Sequence, residues 1–189
     1  MRPTSALLAG QNLPLPAEHF EVGLRQGGRA QADMVALLLD RGGKVSADAD
    51  FVFYDAPQHP SGSVVLIGGP LRLNLSRVPD AVEQIVVAAH GDETRGLSGL
   101  AVEVSLDAEI LTFAPQRLDE LPTAVLIELY RRSGAWRVRA VGQGWATGLG
   151  GLAQDYGVVV DAGDAQAPDP DSTSIRSESR PSSGNGTSW

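Results

Sequence analysis

The sequence predicts an all-β fold: a two-sheet antiparallel β-sandwich with a short C-terminal helix and a disordered tail. Three observations carry this. Short β-branched and aromatic runs recur between residues 5 and 160, with turn residues between them. Several of these runs alternate apolar with polar positions, as strands with one wet face do. Beyond about Asp161 aliphatic side chains almost vanish and Asp, Ser, Pro and Gly take over. Such a segment cannot offset the entropy of ordering itself. The expected division is a sandwich domain over 5–160 and a tail over 161–189, ending in Trp189.

Each element follows from its local pattern. Ala6-Leu7-Leu8-Ala9 reads as an N-terminal strand, and Phe20 to Leu24 alternates apolar and small or polar residues. Met34 to Leu39 is a continuous apolar run, compatible with a doubly buried strand or a short helix; Asp40-Arg41-Gly42-Gly43 behind it favours the strand. Phe51-Val52-Phe53-Tyr54 and Ser63 to Ile67 are strand-like by composition. Leu71, Leu73 and Leu75 alternate with Arg72 and Asn74, so one face of that strand is wet. Ile85 to Ala89 reads as a central strand, and Leu100 to Leu106 alternates again.

A final hairpin is the clearest local pattern. Val125, Ile127 and Leu129 are expected on one face, Leu126, Glu128 and Tyr130 on the other, with a turn over Arg131 to Gly134. Trp136 to Val141 returns in strict alternation, Trp136 and Val138 inward and Arg137 and Arg139 outward. A helical turn over Leu126 to Arg132 is the alternative, since Leu126, Leu129 and Tyr130 share a helical face. Leu149 to Tyr156 reads as a short helix stopped by Gly157 at its C′ position. About ten short strands result, without an internal repeat.

Composition removes whole classes of function. Cysteine is absent, which excludes disulfides, thiolate metal sites and a cysteine nucleophile. A net charge of -8 argues against nucleic acid, whose binding needs a basic stripe. No apolar run approaches the roughly 20 residues of a membrane span. Arg2 and the Ala6–Ala9 stretch fall short of a secretory signal, so a cytoplasmic protein is expected. His19, His59 and His90 are scattered, Gly96-Leu97-Ser98-Gly99 is not a nucleophile elbow, and Gly142-Gln143-Gly144 opens no βαβ unit. An enzyme is not expected.

The acidic residues offer more. Asp33 opens the Met34 run, Asp48 and Asp50 precede Phe51, and Asp55 follows Tyr54. Asp48 and Asp50 are two apart, so on an extended chain both carboxylates leave the same side. A hard cation, Ca²⁺ or Mg²⁺, would relieve their repulsion. The alternative is that these residues cap turns through Asx hydrogen bonds. The EF-hand pattern is not met, for want of Gly at loop position 6 and Glu at position 12.

Gly43-Lys44-Val45 leading into Asp48-Ala49-Asp50-Phe51-Val52-Phe53-Tyr54 resembles the central motif of the TerD family of bacterial tellurium-resistance and stress proteins. The resemblance continues through Ser61-Gly62-Ser63-Val64, Val78-Pro79, Ile85-Val86-Val87, Glu128-Leu129-Tyr130-Arg131 and Trp136 to Trp145. Gly148-Leu149 and Tyr156-Gly157 close it, and Leu8 to Leu13 is similar to the family's first strand and turn. The resemblance implies a two-sheet sandwich and a calcium-binding, non-enzymatic module with Asp33, Asp48, Asp50 and Asp55 as candidate metal ligands. Two departures bear on that implication. The family's Asp-Leu-Asp becomes Gln31-Ala32-Asp33, and its long acidic loop shrinks to Gly68-Gly69-Pro70. His90, Asp92 and Glu93 lie where the family has a His-Asp pair. The expected protein is a stress-response binding module with weak or lost affinity for Ca²⁺ and a protein partner of unknown identity. The alternative is a metal-free interaction scaffold tethered by its tail.

Overall fold

The computed structural model describes residues 2–26, 31–91 and 96–158. Their strands build two six-stranded sheets. The first runs β1 (Thr4–Ala6), β10 (Ile110–Phe113), β9 (Leu100–Ser105), β3 (His19–Gln26), β7 (Leu71–Asn74), β6 (Val64–Leu66) from edge to edge. The second runs β2 (Asn12–Pro14), β12 (Ala135–Trp145), β11 (Thr123–Arg132), β8 (Gln84–Gly91), β4 (Ala32–Leu39), β5 (Phe51–Val52). A single helix, α1 (Gly148–Asp155), follows among the described residues. The sandwich and its helix are as the sequence predicts. Among the described residues twelve strands replace the expected ten or so, and their pairing is antiparallel except where β1 joins β10 in parallel. The tail over 161–189 lies outside the described residues, as do Asp92 and Glu93.

The two sheets solve burial differently. In the first, Val22, Leu71, Val102 and Val104 enter the core between the sheets. Its outer face is wet and carries ion pairs, Arg72 with Glu21 at 2.8 Å and Arg25 with Glu103 at 2.8 Å. Exposed pairs of this kind contribute little stability, about 0–1 kcal/mol, and their value is a soluble face. The second sheet is buried on both sides where α1 covers it, along Met34 to Leu39 of β4 and Ile85 to Ala89 of β8. Met34, Ala36 and Leu38 of β4 face the first sheet, whereas Val35, Leu37 and Leu39 join Val86, Ala88 and Val125 under Leu152 and Ala153 of α1. That helix is why β4 and β8 read as continuous apolar runs rather than alternating ones.

The β11–β12 hairpin departs from strict alternation. A register shift between Val125 and Ile127 makes a β-bulge that puts Leu126 and Ile127 into the same core. Val125 is thereby turned to the opposite face, beneath α1, and does not share the side of Ile127 and Leu129 as expected. The tight turn is only Ser133-Gly134, at φ 53° and 78°, the two positive φ values of a type I′ hairpin. Val138 and Ala140 are buried as predicted, but Trp136 is only half-buried, packing on the edge of the core beneath the Arg131 guanidinium.

Further elements are shorter than predicted; Ser63 to Ile67, for one, is strand only over Val64–Leu66. Phe51-Val52 alone is strand; Phe53 and Tyr54 leave the sheet in a bend closed by reciprocal Phe53 and Ala56 backbone bonds of 3.1 Å. Leu75 belongs to a 3₁₀ turn, not to the strand that ends at Asn74. The helix stop is as predicted: Gly157 sits at φ +87°, its N–H donates to Gln154 O at 3.0 Å and Val158 N–H to Ala153 O at 2.9 Å. This is the double bond of a Schellman cap.

Candidate functional site

The turn from Ser46 to Asp50 and the loop from Phe53 to Ser63 form one hydrogen-bonded unit beside the short edge strand β5. Asp50 is its hub. Its Oδ2 accepts the backbone N–H groups of Ser46 and Ala47, each at 2.9 Å, which closes the 3₁₀ turn Asp48–Asp50. Its Oδ1 lies 3.1 Å from Nε2 of His59. Nδ1 of the same ring accepts the Ser61 N–H at 3.2 Å and lies 2.7 Å from Ser61 Oγ, which is 2.8 Å from Ser63 Oγ. Because Nδ1 accepts, Nε2 carries the proton and donates it to Asp50. His59 is buried and Ser63 fully so, so these polar groups need their partners.

A carboxylate, an imidazole and a hydroxyl in series make the order of a nucleophilic triad. Here the accepting nitrogen is already engaged by the Ser61 N–H, two residues along the chain from the ring. The series braces a loop. Sequence reasoning passed over it because His59 stands nine residues from Asp50, in no metal or catalytic spacing; the one local signal was the serine pair Ser61 and Ser63.

The four carboxylates singled out by sequence take different positions. Asp50 is spent on internal bonds. Asp48 is exposed on the same 3₁₀ turn, and Asp55 is exposed in the Phe53–Ala56 bend. Asp33 is exposed on β4, opposite His90 of β8 in the ladder. His90 is held through Nδ1 by Thr123 Oγ1 at 2.8 Å. Among the described residues, no group of three or more His, Asp or Glu side chains is placed to hold a metal ion. A Ca²⁺ shell asks for six to eight oxygens.

Two grooves flank the aromatic bend. One, of ≈ 580 Å³, opens between the sheets and is lined by Leu24, Asp33, Met34, Tyr54, Leu66 and Pro70 among others. The second, of ≈ 380 Å³, lies between β5 and α1 and is lined by Asp48, Phe51, Phe53, Leu149, Ala153 and Val158 among others. Between them stand Phe53 and Tyr54, edge to face with ring centroids 5.4 Å apart; Phe53 also stacks on Phe51 at 4.9 Å. Tyr54 is 71% exposed, which is high for an aromatic held in so closed a loop.

Several motif blocks meet in space as fold contacts. Val45 N–H donates to Tyr156 O at 2.9 Å, and Lys44 Nζ donates to Asp155 O, which fastens α1 to the turn behind β4. Arg131 Nη2 donates to Val78 O and Pro79 O at 3.1 and 3.3 Å. Arg139 meets Glu128 across the β11–β12 ladder and lies 5.6 Å from the Tyr130 ring centroid. Nearby, burial first, then the Glu128 and Asp155 charges, hold the Tyr156 hydroxyl above its ordinary pKa of 10.0, while Arg139 opposes the shift. Much of what the motif carries is therefore packing and hydrogen bonding.

Comparison with known proteins agrees with this architecture. The TerD domain model matches residues 6–156. Tellurium resistance protein TerD of Alcaligenes sp is 36% identical over 148 residues, covering 67% of this chain and 77% of that protein. General stress protein 16U of Bacillus subtilis (strain 168) is 31% identical over 150 residues, covering 68% and 78%. A solved homologue of telluride resistance protein (TerD) from Streptomyces coelicolor A3(2) shares the fold with a TM-score of 0.58 at 16% identity, covering 72% of this chain and 95% of that one. No helix among the described residues is long and apolar enough to cross a membrane. With a domain match across most of its length and relatives above 30% identity, this chain belongs to the TerD family.

Proposed function

We propose that the protein is a non-enzymatic stress-response module of the tellurium-resistance type, which works by binding a protein partner and has weak or lost affinity for calcium. The observation that carries this reading is the engagement of Asp50. Two backbone N–H groups and His59 already use both of its oxygens. A cation would have to compete with three hydrogen bonds for that carboxylate, and Asp33, Asp48 and Asp55 bring single charges from separate positions. Few charged ligands move calcium affinity toward the millimolar range. The relatives, named as tellurium resistance and stress proteins, support the cellular role. A metal-free scaffold tethered by residues 161–189 is the second reading, favoured by the same use of Asp50.

Calorimetric titration with Ca²⁺ tests the calcium part. The expected result is no saturating heat in the micromolar range and no change in unfolding temperature, since a ligand below its Kd stabilises very little. A micromolar constant lost in Asp48→Ala and in Asp50→Ala would overturn it. Deletion of the gene in the native host, followed by survival on tellurite and under general stress, tests the role; unchanged survival under both counts against it.

A further inference from the structure

We propose that the Phe53–Tyr54 ridge, with the two grooves beside it, is the docking surface for a partner segment that combines apolar and basic side chains. The inference rests on the partner-binding reading above and gives it a location and a chemistry.

Three observations converge on this surface. The ridge is exposed yet pinned. Tyr54 is 71% exposed, while reciprocal Phe53 and Ala56 bonds close its loop and the Asp50–His59–Ser61 series anchors both ends. A rigid exposed aromatic loses little entropy on binding, which is the character of an interface hot spot. Second, apolar side chains line both grooves: Leu24, Met34 and Leu66 in the larger, Phe51, Leu149 and Ala153 in the smaller, which is almost wholly apolar. Third, the charge on the described lining is of one sign. Among the described lining residues each groove has one acid, Asp33 in the larger and Asp48 in the smaller, and no Arg or Lys. With the chain's net charge of -8, each groove offers a partner a carboxylate beside apolar side chains. An arginine or lysine fits such a groove, its aliphatic stem on the apolar side chains and its charge at the carboxylate. The Tyr54 ring adds a face for the cation. Asp33 and Asp48 then act as electrostatic anchors for side chains, without needing to converge on one ion.

The test uses the full chain and a fluorescent synthetic peptide of alternating arginine and leucine, followed by polarisation at low ionic strength. The peptide is expected to bind. Tyr54→Ala should weaken it by about tenfold or more, as truncation of an aromatic hot spot does. Asp33→Asn combined with Asp48→Asn should weaken it further. All three residues are exposed, and a matching unfolding curve confirms that each variant is folded. Glu103→Gln, on the outer face of the first sheet, should change nothing. The proposal is overturned if the peptide fails to bind at about millimolar concentration. It is equally overturned if Tyr54→Ala binds like the parent, if Glu103→Gln loses as much as the Asp33 and Asp48 changes, or if an arginine–glycine peptide binds as tightly. Calcium titration of the same samples keeps the two readings apart: tight calcium binding overturns the weak-calcium reading, and an indifferent Tyr54→Ala overturns the ridge.

Discussion

Asp50 Oδ1 and His59 Nε2 lie 3.1 Å apart, joining the turn before β5 to the loop after it. The carboxylate that the sequence offers as a metal ligand is, in the folded chain, the hydrogen-bond hub of the loop that carries Tyr54.

Asp50→Ala is therefore expected to destabilise the fold. It strips the acceptor from the Ser46 and Ala47 N–H groups and leaves the buried His59 Nε2–H without a partner. An unsatisfied buried group costs about 1–3 kcal/mol. Asp48→Ala removes an exposed carboxylate on the same turn and should stay within about 0.5 kcal/mol of the parent. Urea unfolding of both variants separates them; equal midpoints would mean that Asp50 is no hub.

Leu129→Ala should cost about 2–5 kcal/mol, because Leu129 is fully buried on the core side of β11. Trp136→Ala should cost less, about 1–2 kcal/mol, because its ring is only half-buried and gives up a cation–π contact to Arg131 at 5.0 Å. A reversed order in chemical denaturation would place Trp136 in the core.

Gly157→Ala should lower stability by roughly 1–2 kcal/mol, the cost of a side chain in the left-handed region. The φ of +87° at this residue is required by the cap that ends α1. Thermal unfolding reads the effect directly, and a neutral result would mean that the helix ends another way.

Tyr156 predicts an alkaline limb in the stability curve. Its hydroxyl is raised above 10.0 by burial and by the Glu128 and Asp155 charges, so the folded state holds the proton more tightly than the unfolded chain. That contribution is fully present below pH 10.0 and is lost as pH rises through the folded-state value. Tyr156→Phe should flatten the fall in stability above that pH relative to the parent. Parallel alkaline curves for the two proteins would contradict the assignment.

Much of the fold was legible because local chemistry and tertiary environment agree. Leu71 and Leu73 alternate with exposed Arg72 because the first sheet has one wet face, and Met34 to Leu39 is unbroken because α1 covers the outer face of β4 there. The Gly157 stop and the hairpin around Ser133-Gly134 were legible for the same reason: a positive φ narrows the choice of residue. The bulge at Leu126 was not legible. Val125, Leu126 and Ile127 are all buried and apolar, so no polarity contrast marks which of them faces α1 and which faces the first sheet.

The candidate site divides along the same line. The family motif, the acidic positions Asp33, Asp48, Asp50 and Asp55, and the aromatic run Phe51 to Tyr54 are matters of residue type and order, and could be read before any fold was known. That Asp50 bonds to His59, that β1 lies parallel to β10, and that Phe53 and Tyr54 leave the sheet between two grooves came from the packed fold. Pairings such as β1 with β10 join residues more than a hundred positions apart, and a hydrogen-bond donor has no local signature of which distant or buried acceptor it will meet; the packing of the two sheets and α1 makes that choice.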